Sequence, residues 1–229
     1  LSDNNWDSLN MRTALENAAE AAVENLPKIP GRTIIAIDSS GSMGCTMSSK
    51  SDVKCCDIAF LLGIIADKIC ERSLVFTFDD HIGKLNLSRK SGILETAMHQ
   101  SHCGGGTNMY LPFEELLNNH IGADRMIILS DNECNYNLQP NQNGSSFFWY
   151  GSNRGNTTVQ SLADEYRRKI NPNFWVHAID LQGYGTQQFI GSKTNLVAGW
   201  SEKIFEFISL TEKGTDSLIK RISEYKAHY

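Results

Sequence analysis

Short apolar runs that alternate with stretches of helical spacing constrain this chain more than any other feature. Thr33–Ile37 (TIIAI) is a β-branched run of the kind found in strands covered on both faces, and it stops at Asp38. Met126–Leu129 (MIIL) repeats the pattern and stops at Ser130-Asp131. Leu74–Phe78 and Phe174–Ile179 read as further strands, and Ile204–Phe207 as the last one. Between them lie helical segments: 11–26, Asp52 to Cys70, Gly92–His99, Met109–Asn119, Thr157–Lys169 and Thr215–Tyr225. Strands that alternate with helices imply parallel βαβ crossovers, hence an α/β protein of three layers. Asp79-Asp80-His81 forms a turn into Lys84–Leu87, which adds an antiparallel strand at the sheet edge.

The 229 residues show no repeat, flexible linker or second domain, so residues 1–229 are expected to form one domain. Within it, 11–26 is an N-terminal helix and 32–225 the α/β core. Met11, Leu15, Ala18, Ala22 and Leu26 recur at helical spacing and are expected to form the apolar face of the first helix, which Pro27 and Pro30 end. The segment from Asp52 to Cys70 is so apolar that it should be a mostly buried, central helix. The polar start, LSDNNWDSLN, carries no signal peptide and no initiating Met, which suggests a fragment of a longer protein. Ile58–Ala66, the most apolar run, is far below the ~20 residues needed to span a bilayer, so no membrane role is expected. A net charge of −5 argues against broad nucleic-acid binding by this segment.

Six cysteines (Cys45, Cys55, Cys56, Cys70, Cys103 and Cys134) are irregularly spaced, with no CxxC. An even count is compatible with three disulfides in a secreted chain. Three of the six fall in one helix, however, which favours free thiols and a cytoplasmic protein.

Ligands of open α/β sheets bind beyond the carboxyl ends of the strands. Three features should meet there: Asp38-Ser39-Ser40-Gly41-Ser42 after the first buried strand, Gly104-Gly105-Gly106-Thr107-Asn108 before a helix, and Asp131 after MIIL. Asp38, Ser40, Ser42, Thr107 and Asp131 offer two carboxylates and three hydroxyls. These are hard oxygens that suit Mg²⁺ or Mn²⁺ and disfavour zinc or copper. Neutral hydroxyls leave such a cation under-neutralised, able to attract a carboxylate from an acidic protein partner to an open position. The blander alternative is that Asp38 and Ser42 merely cap turns.

This D-x-S-x-S…T…D arrangement resembles the metal-ion-dependent adhesion site of von Willebrand factor A domains. The resemblance implies a Rossmann-like von Willebrand A fold. It also implies that Ser40, Ser42 and Thr107 are direct ligands while Asp38 and Asp131 act largely through water. Gly105-Gly106-Thr107-Asn108, Ser130-Asp131-Asn132-Glu133, Glu165–Lys169 and the stretch Leu196–Ile208 resemble the A domain of the Ro autoantigen (TROVE) family. In that family the A domain closes a ring of helical repeats, and the ring carries most of the RNA-binding surface. No ring fits in this chain, so RNA would be met mainly elsewhere in a Ro-like ribonucleoprotein. The polar loop 132–156 is longer than the family pattern. Similar A domains also occur in AAA-coupled chelatase or metal-insertion complexes and in extracellular adhesion proteins, which stand as alternatives.

Other features carry paired readings. Phe147, Phe148, Trp149 and Tyr150 form either a ligand-binding lip over the metal or a patch folded back on the sheet edge. Cys45 and Cys103 flank the metal motifs as bystanders or as a redox pair. His102 is solvent-exposed or touches a bound anion. Arg167-Arg168-Lys169 complements a helix dipole or contributes to a nucleic-acid patch. Ser40 and Ser42 lie in no GxSxG elbow, and no phosphate loop or catalytic base is placed, so the chain is expected not to be an enzyme and to have no catalytic residues.

Overall fold

The computed structural model describes residues 3–132, 158–185 and 188–224. Its elements, in chain order, are α1 (Asp3–Glu24), β1 (Ile29–Asp38), a 3₁₀ turn (Gly41–Gly44), α2 (Cys55–Ile69), β2 (Cys70–Phe78), β3 (Ile82–Leu85), α3 (Ile93–Gln100), α4 (Leu111–Asn118), β4 (Arg125–Ser130), α5 (Val159–Lys169), β5 (Trp175–Asp180), β6 (Thr194–Ala198), α6 (Lys203–Glu212) and α7 (Thr215–Glu224). β1 sits inside the sheet because every residue from Thr33 to Asp38 is buried and neither face meets water. The strand order is β3-β2-β1-β4-β5-β6, with β3 antiparallel to β2 and the other pairings parallel.

That order makes the chain doubly wound. From β1 it steps to β2 on one side, then returns to β4 on the other, so the crossovers diverge between the carboxyl ends of β1 and β4. Alternation along β1 splits the core into two layers. Ile35 and Ile37 pack with α2, α3 and α6, through Phe60, Ile64, Ile93 and Phe205. Ile34 and Ala36 pack with α4 and α5, through Phe113, Leu162 and Tyr166. Gly63 of α2 lies against β1, where a Cβ would come within 2.5 Å of Ile37 Cδ1, so the close approach of helix to strand requires glycine. Among the described residues no helix is long and apolar enough to cross a membrane.

Three expectations need correction. Ile204–Phe207 is not a strand but part of α6, and the last described strand is Thr194–Ala198. A short apolar run cannot by itself be told from one face of a helix, and Ile204, Phe205 and Ile208 are spaced as helix positions that reach the core. The edge strand runs Ile82–Leu85, two residues earlier than expected. Finally, α1 presents Met11 and Leu15 to solvent, 65% and 55% exposed, while Val23 is buried. The helix docks through Val23 and Ala19 against the core, and through charge. Glu20 pairs with Lys68 at 2.8 Å, and the Glu16 carboxylate accepts the first backbone N–H groups of α3.

Candidate metal centre

β1 delivers Asp38 to the carboxyl edge of the sheet with no exposed surface. Its Oδ1 accepts the Ser40 N–H at 2.8 Å, an Asx turn that bends the chain away from the strand. The bend leads into the Gly41–Gly44 turn and sets the Ser40 and Ser42 hydroxyls 3.1 Å apart. β4 delivers Ser130 and Asp131 beside them, and Ser130 Oγ donates to Asp38 Oδ2 at 2.5 Å. Asn132 then turns the chain with φ 59, a left-handed conformation that asparagine tolerates, and its N–H donates to Ser130 Oγ at 2.9 Å.

The glycine loop is stitched onto this frame by its backbone. Gly104 N–H donates to Ser39 O at 2.8 Å, and Gly41 N–H donates to Gly105 O at 3.0 Å. The β2–β3 turn holds the far side: Asp80 Oδ2 accepts the Gly106 N–H at 2.9 Å, and Asp79 O accepts the Asn108 N–H at 3.0 Å. Gly105 adopts φ +72, and a Cβ on it would stand 2.7 Å from Asp80 Oδ2, so the position requires glycine twice over. Thr107 lies fully buried on this loop, which is bonded to the serine loop through Gly104 and Gly105.

Burial drives the Asp38 carboxyl from its ordinary value of 3.8 up to about 7. Hydrogen bonds from Ser130 and Ser40 pull the other way, and the nearby Asp131 carboxylate adds to the rise. Two acidic groups so close in a dry edge are unfavourable without a countercharge. The donor set fits a small hard cation. Cis ligands of an octahedral Mg²⁺, each at about 2.1 Å, lie about 3.0 Å apart, and the two serine hydroxyls already have that spacing. Asp38, Ser40, Ser42, Thr107 and Asp131 are the residues that would hold it. Among the described residues no group of three or more His, Cys, Asp and Glu is arranged for a metal, so this cluster differs from a soft-ligand or all-carboxylate site.

Several contributors escaped the sequence reading. Ser130 stands out in the sequence as a strand end and within a Ro-like stretch, but not as the residue that grips Asp38. Asp180 ends β5 as Asp38 ends β1, a signal that was available. Its carboxylate accepts the Gly183 and Gly185 N–H groups at 2.8 and 3.0 Å and folds the 181–185 turn. From that turn Gln182 Nε2 reaches Cys45 Sγ at 2.8 Å, joining a third loop to the serine loop.

The remaining candidates have defined places. Cys45 and Cys103 face different members of the Cys55-Cys56 pair. His102 is exposed; its ring lies 5.2 Å from Phe60, and its Nδ1 is 2.8 Å from Gln100 O. Arg167 is occupied structurally, bonding Phe174 O at 3.1 Å and Lys193 O at 3.0 Å. Lys169 pairs with Glu165 at 2.6 Å. Phe147, Phe148, Trp149, Tyr150 and Cys134 lie outside the described residues.

Comparison with known proteins gives consistent findings. The Ro60 vWA domain family matches residues 32–143. No curated protein matches the sequence. Among solved structures, the Deinococcus radiodurans Ro (RSR) protein superposes with a TM-score of 0.66 at 20% identity, covering 85% of this chain and 37% of that one. This chain thus spans little more than a third of that protein. A point mutant of the PilB minor pilin from Streptococcus sanguinis gives a TM-score of 0.44 at 14% identity, covering 88% of this chain and 64% of that one. The manganese-loaded TRAP protein of Plasmodium vivax gives 0.39 at 13% identity, covering 73% and 59%.

A mostly parallel, doubly wound sheet with one antiparallel edge strand is the architecture of a von Willebrand A domain. The chain has the fold of such a domain, and its residues 32–143 are similar to the one in Ro60.

Proposed function

We propose that this A domain is a divalent-metal-dependent protein-interaction module. Asp38, Ser40, Ser42, Thr107 and Asp131 hold one Mg²⁺ or Mn²⁺, and a remaining coordination position takes an acidic side chain from a partner. The observation that carries this reading is the convergence of hydroxyls and carboxyls from three loops at the switch point, with Ser40 and Ser42 3.1 Å apart beside a buried Asp38. A bound cation would supply the positive charge that this edge lacks. The serine hydroxyls hydrogen-bond to each other, an arrangement of ligands rather than of a nucleophile and its base, so the module binds and does not catalyse.

Within a longer Ro-like ribonucleoprotein, the RNA-binding surface would lie outside this domain. The basic Arg167–Lys169 cluster adds little to such a surface, because Arg167 is held by backbone carbonyls. The described cysteines are free thiols, which supports a reducing, cytoplasmic setting.

Calorimetry tests the reading. Wild type should bind Mg²⁺ and Mn²⁺, and Asp38→Ala should bind neither. A glutamate-containing peptide should then bind only the metal-loaded wild type. Equal metal binding by both proteins would sink the proposal.

A further inference from the structure

α1 leaves its most apolar stripe off the domain it docks on. The side chains that dock it are Glu16, which caps α3, Glu20, which pairs with Lys68, and Ala19 and Val23, which reach the core. At about 100° per residue these four share one face of the helix. Met11, Leu15, Ala18 and Ala22 form a second stripe about a third of a turn away, and all four are exposed. Ala14 and Ala21, also exposed, border it on the side farther from the domain. Single exposed apolar residues are ordinary, but two large ones in line with four alanines make a continuous strip. Steps of four, three and four residues are those of coiled-coil a and d positions, so the strip is a seam shaped for another helix. Its halves differ in size: Met11 and Leu15 stand at the amino end, Ala18 and Ala22 at the carboxyl end.

We propose that this seam is an interaction surface whose partner is α1 of a second copy, packed antiparallel about a two-fold axis. The steps of the seam read the same in both directions. An axis level with Glu16 and Asn17 therefore sets Met11 opposite Ala22 of the second copy, and Leu15 opposite Ala18 of the second copy. Every large side chain then meets a small one, as a knob meets a hole. Ala14 and Ala21 let the two backbones approach to about 8 Å, the short end of the helix-packing range. A parallel pair would set Met11 and Leu15 against themselves and alanine against alanine, overfilled at one end and hollow at the other. Only a partner that carries the same size gradient in reverse fills the seam evenly, and this helix carries it. No like charges meet across the axis, because Glu16 and Glu20 are engaged with the domain and Glu24 lies on the far side of the helix. The same patch serves both copies, so the contact closes at a dimer. One helix pair is at the small, weak end of specific contacts, so dimers should accumulate near about 100 µM. The seam shares no residue with the metal centre and stands apart from the function proposed above.

Sedimentation velocity of the full chain, with chelator present and from about 10 to about 500 µM, tests the pairing. Wild type is expected to shift from the sedimentation coefficient of a monomer to that of a dimer. Leu15→Ala hollows the seam and Ala18→Leu sets leucine against leucine. Each should weaken the dimer at least about tenfold, because the axis counts every change twice. The double variant L15A/A18L should recover it, since large and small have only changed places. A wild type that stays monomeric overturns the proposal. So does a dimer indifferent to Leu15→Ala, or a double variant as weak as its parents. Direction is read by oxidising a mixture of Met11→Cys and Ala22→Cys chains and mapping the linked peptides. Positions 11 and 22 of different copies should be joined; chains of the Met11→Cys variant joined to each other in preference would overturn the antiparallel arrangement.

Discussion

Five side chains define the candidate centre, and three of them reach it by means the sequence displays directly. Asp38, Ser40 and Ser42 are two residues apart, and the Asx turn that gathers them is local chemistry. Thr107 and Asp131 were legible by their place after glycines and after a strand. Ser130 and Asp180 were not, because their role is to hold other groups and nothing in their spacing reports a tertiary partner. Removing one neutral hydroxyl should weaken the cation without unfolding the domain. Ser42→Ala is expected to lower Mg²⁺ affinity about tenfold, the equivalent of roughly 1.4 kcal/mol, with an unchanged far-UV spectrum; unaltered affinity would remove Ser42 from the site. Asp38→Asn should act in two directions. It abolishes metal binding, yet it relieves a buried carboxyl, so with chelator at pH 8 the variant should be more stable than wild type by about 1 kcal/mol. A urea midpoint below that of wild type would contradict the burial argument.

At the scale of elements, α1 shows how a helix can dock with Met11 and Leu15 left in solvent, through Val23 and through charge. The Glu16 carboxylate accepts the N–H groups of Ile93, Leu94 and Glu95, so a residue of one helix caps another. Gly92 makes room, since a Cβ there would stand 2.7 Å from Glu16 Cδ. The carboxylate also meets the positive end of the α3 dipole. Glu16→Ala should therefore cost about 1–2 kcal/mol in urea denaturation, with faster amide exchange at Leu94 and Glu95 than at core amides such as Ile128. Uniform acceleration across the domain would mean that Glu16 is not a local cap. Periodicity misassigned this helix because it ranks positions by apolarity, and here Glu16 and Glu20 anchor it beside Val23. It failed at Ile204–Phe207 for a different reason, the brevity of the run. Where a segment was long and apolar, as in α2, the expected buried, central helix is what the structure has, with Phe60 and Ile64 in the core.

Across the whole molecule, the two ends of the sheet hold buried charge of opposite pH sense. At the amino end, Arg125 on β4 grips Glu212 of α6 through Nε and Nη2 at 2.6 and 2.8 Å, and Nη1 reaches Pro30 O at 2.7 Å. His177 of β5 completes the cluster. Its Nδ1 accepts from Asn195 Nδ2 at 2.9 Å, so Nε2 carries the proton and donates to Glu212 Oε1 at 2.9 Å. Burial lowers the His177 pKa, and its neighbours His177 and Arg125 hold the Glu212 carboxyl below the ordinary range despite burial. A histidine depressed on folding is protonated first in the unfolded chain, so its stability is lost as pH falls through about 6.5. Glu212 adds a loss of the same sign below its unfolded value near 4.5. Asp38, at the carboxyl end, works the other way. Raised to about 7, its contribution is full below roughly pH 4 and is lost as pH rises to neutrality. Between pH 5 and about 6.5 the slopes of Asp38 and His177 oppose, each at most about 1.4 kcal/mol per pH unit. Metal-free wild type should thus show a muted dependence there, and single variants should unmask each half. With chelator present, the urea midpoint of Asp38→Asn should fall steadily from pH 7 to pH 5, whereas that of His177→Gln should rise over the same interval. If Asp38→Asn stays flat, His177 is protonated in the fold and its pairing with Asn195 is reversed. If His177→Gln stays flat, the Asp38 carboxyl is ionised without a cation, and the charge that motivates the metal centre is already met by the protein.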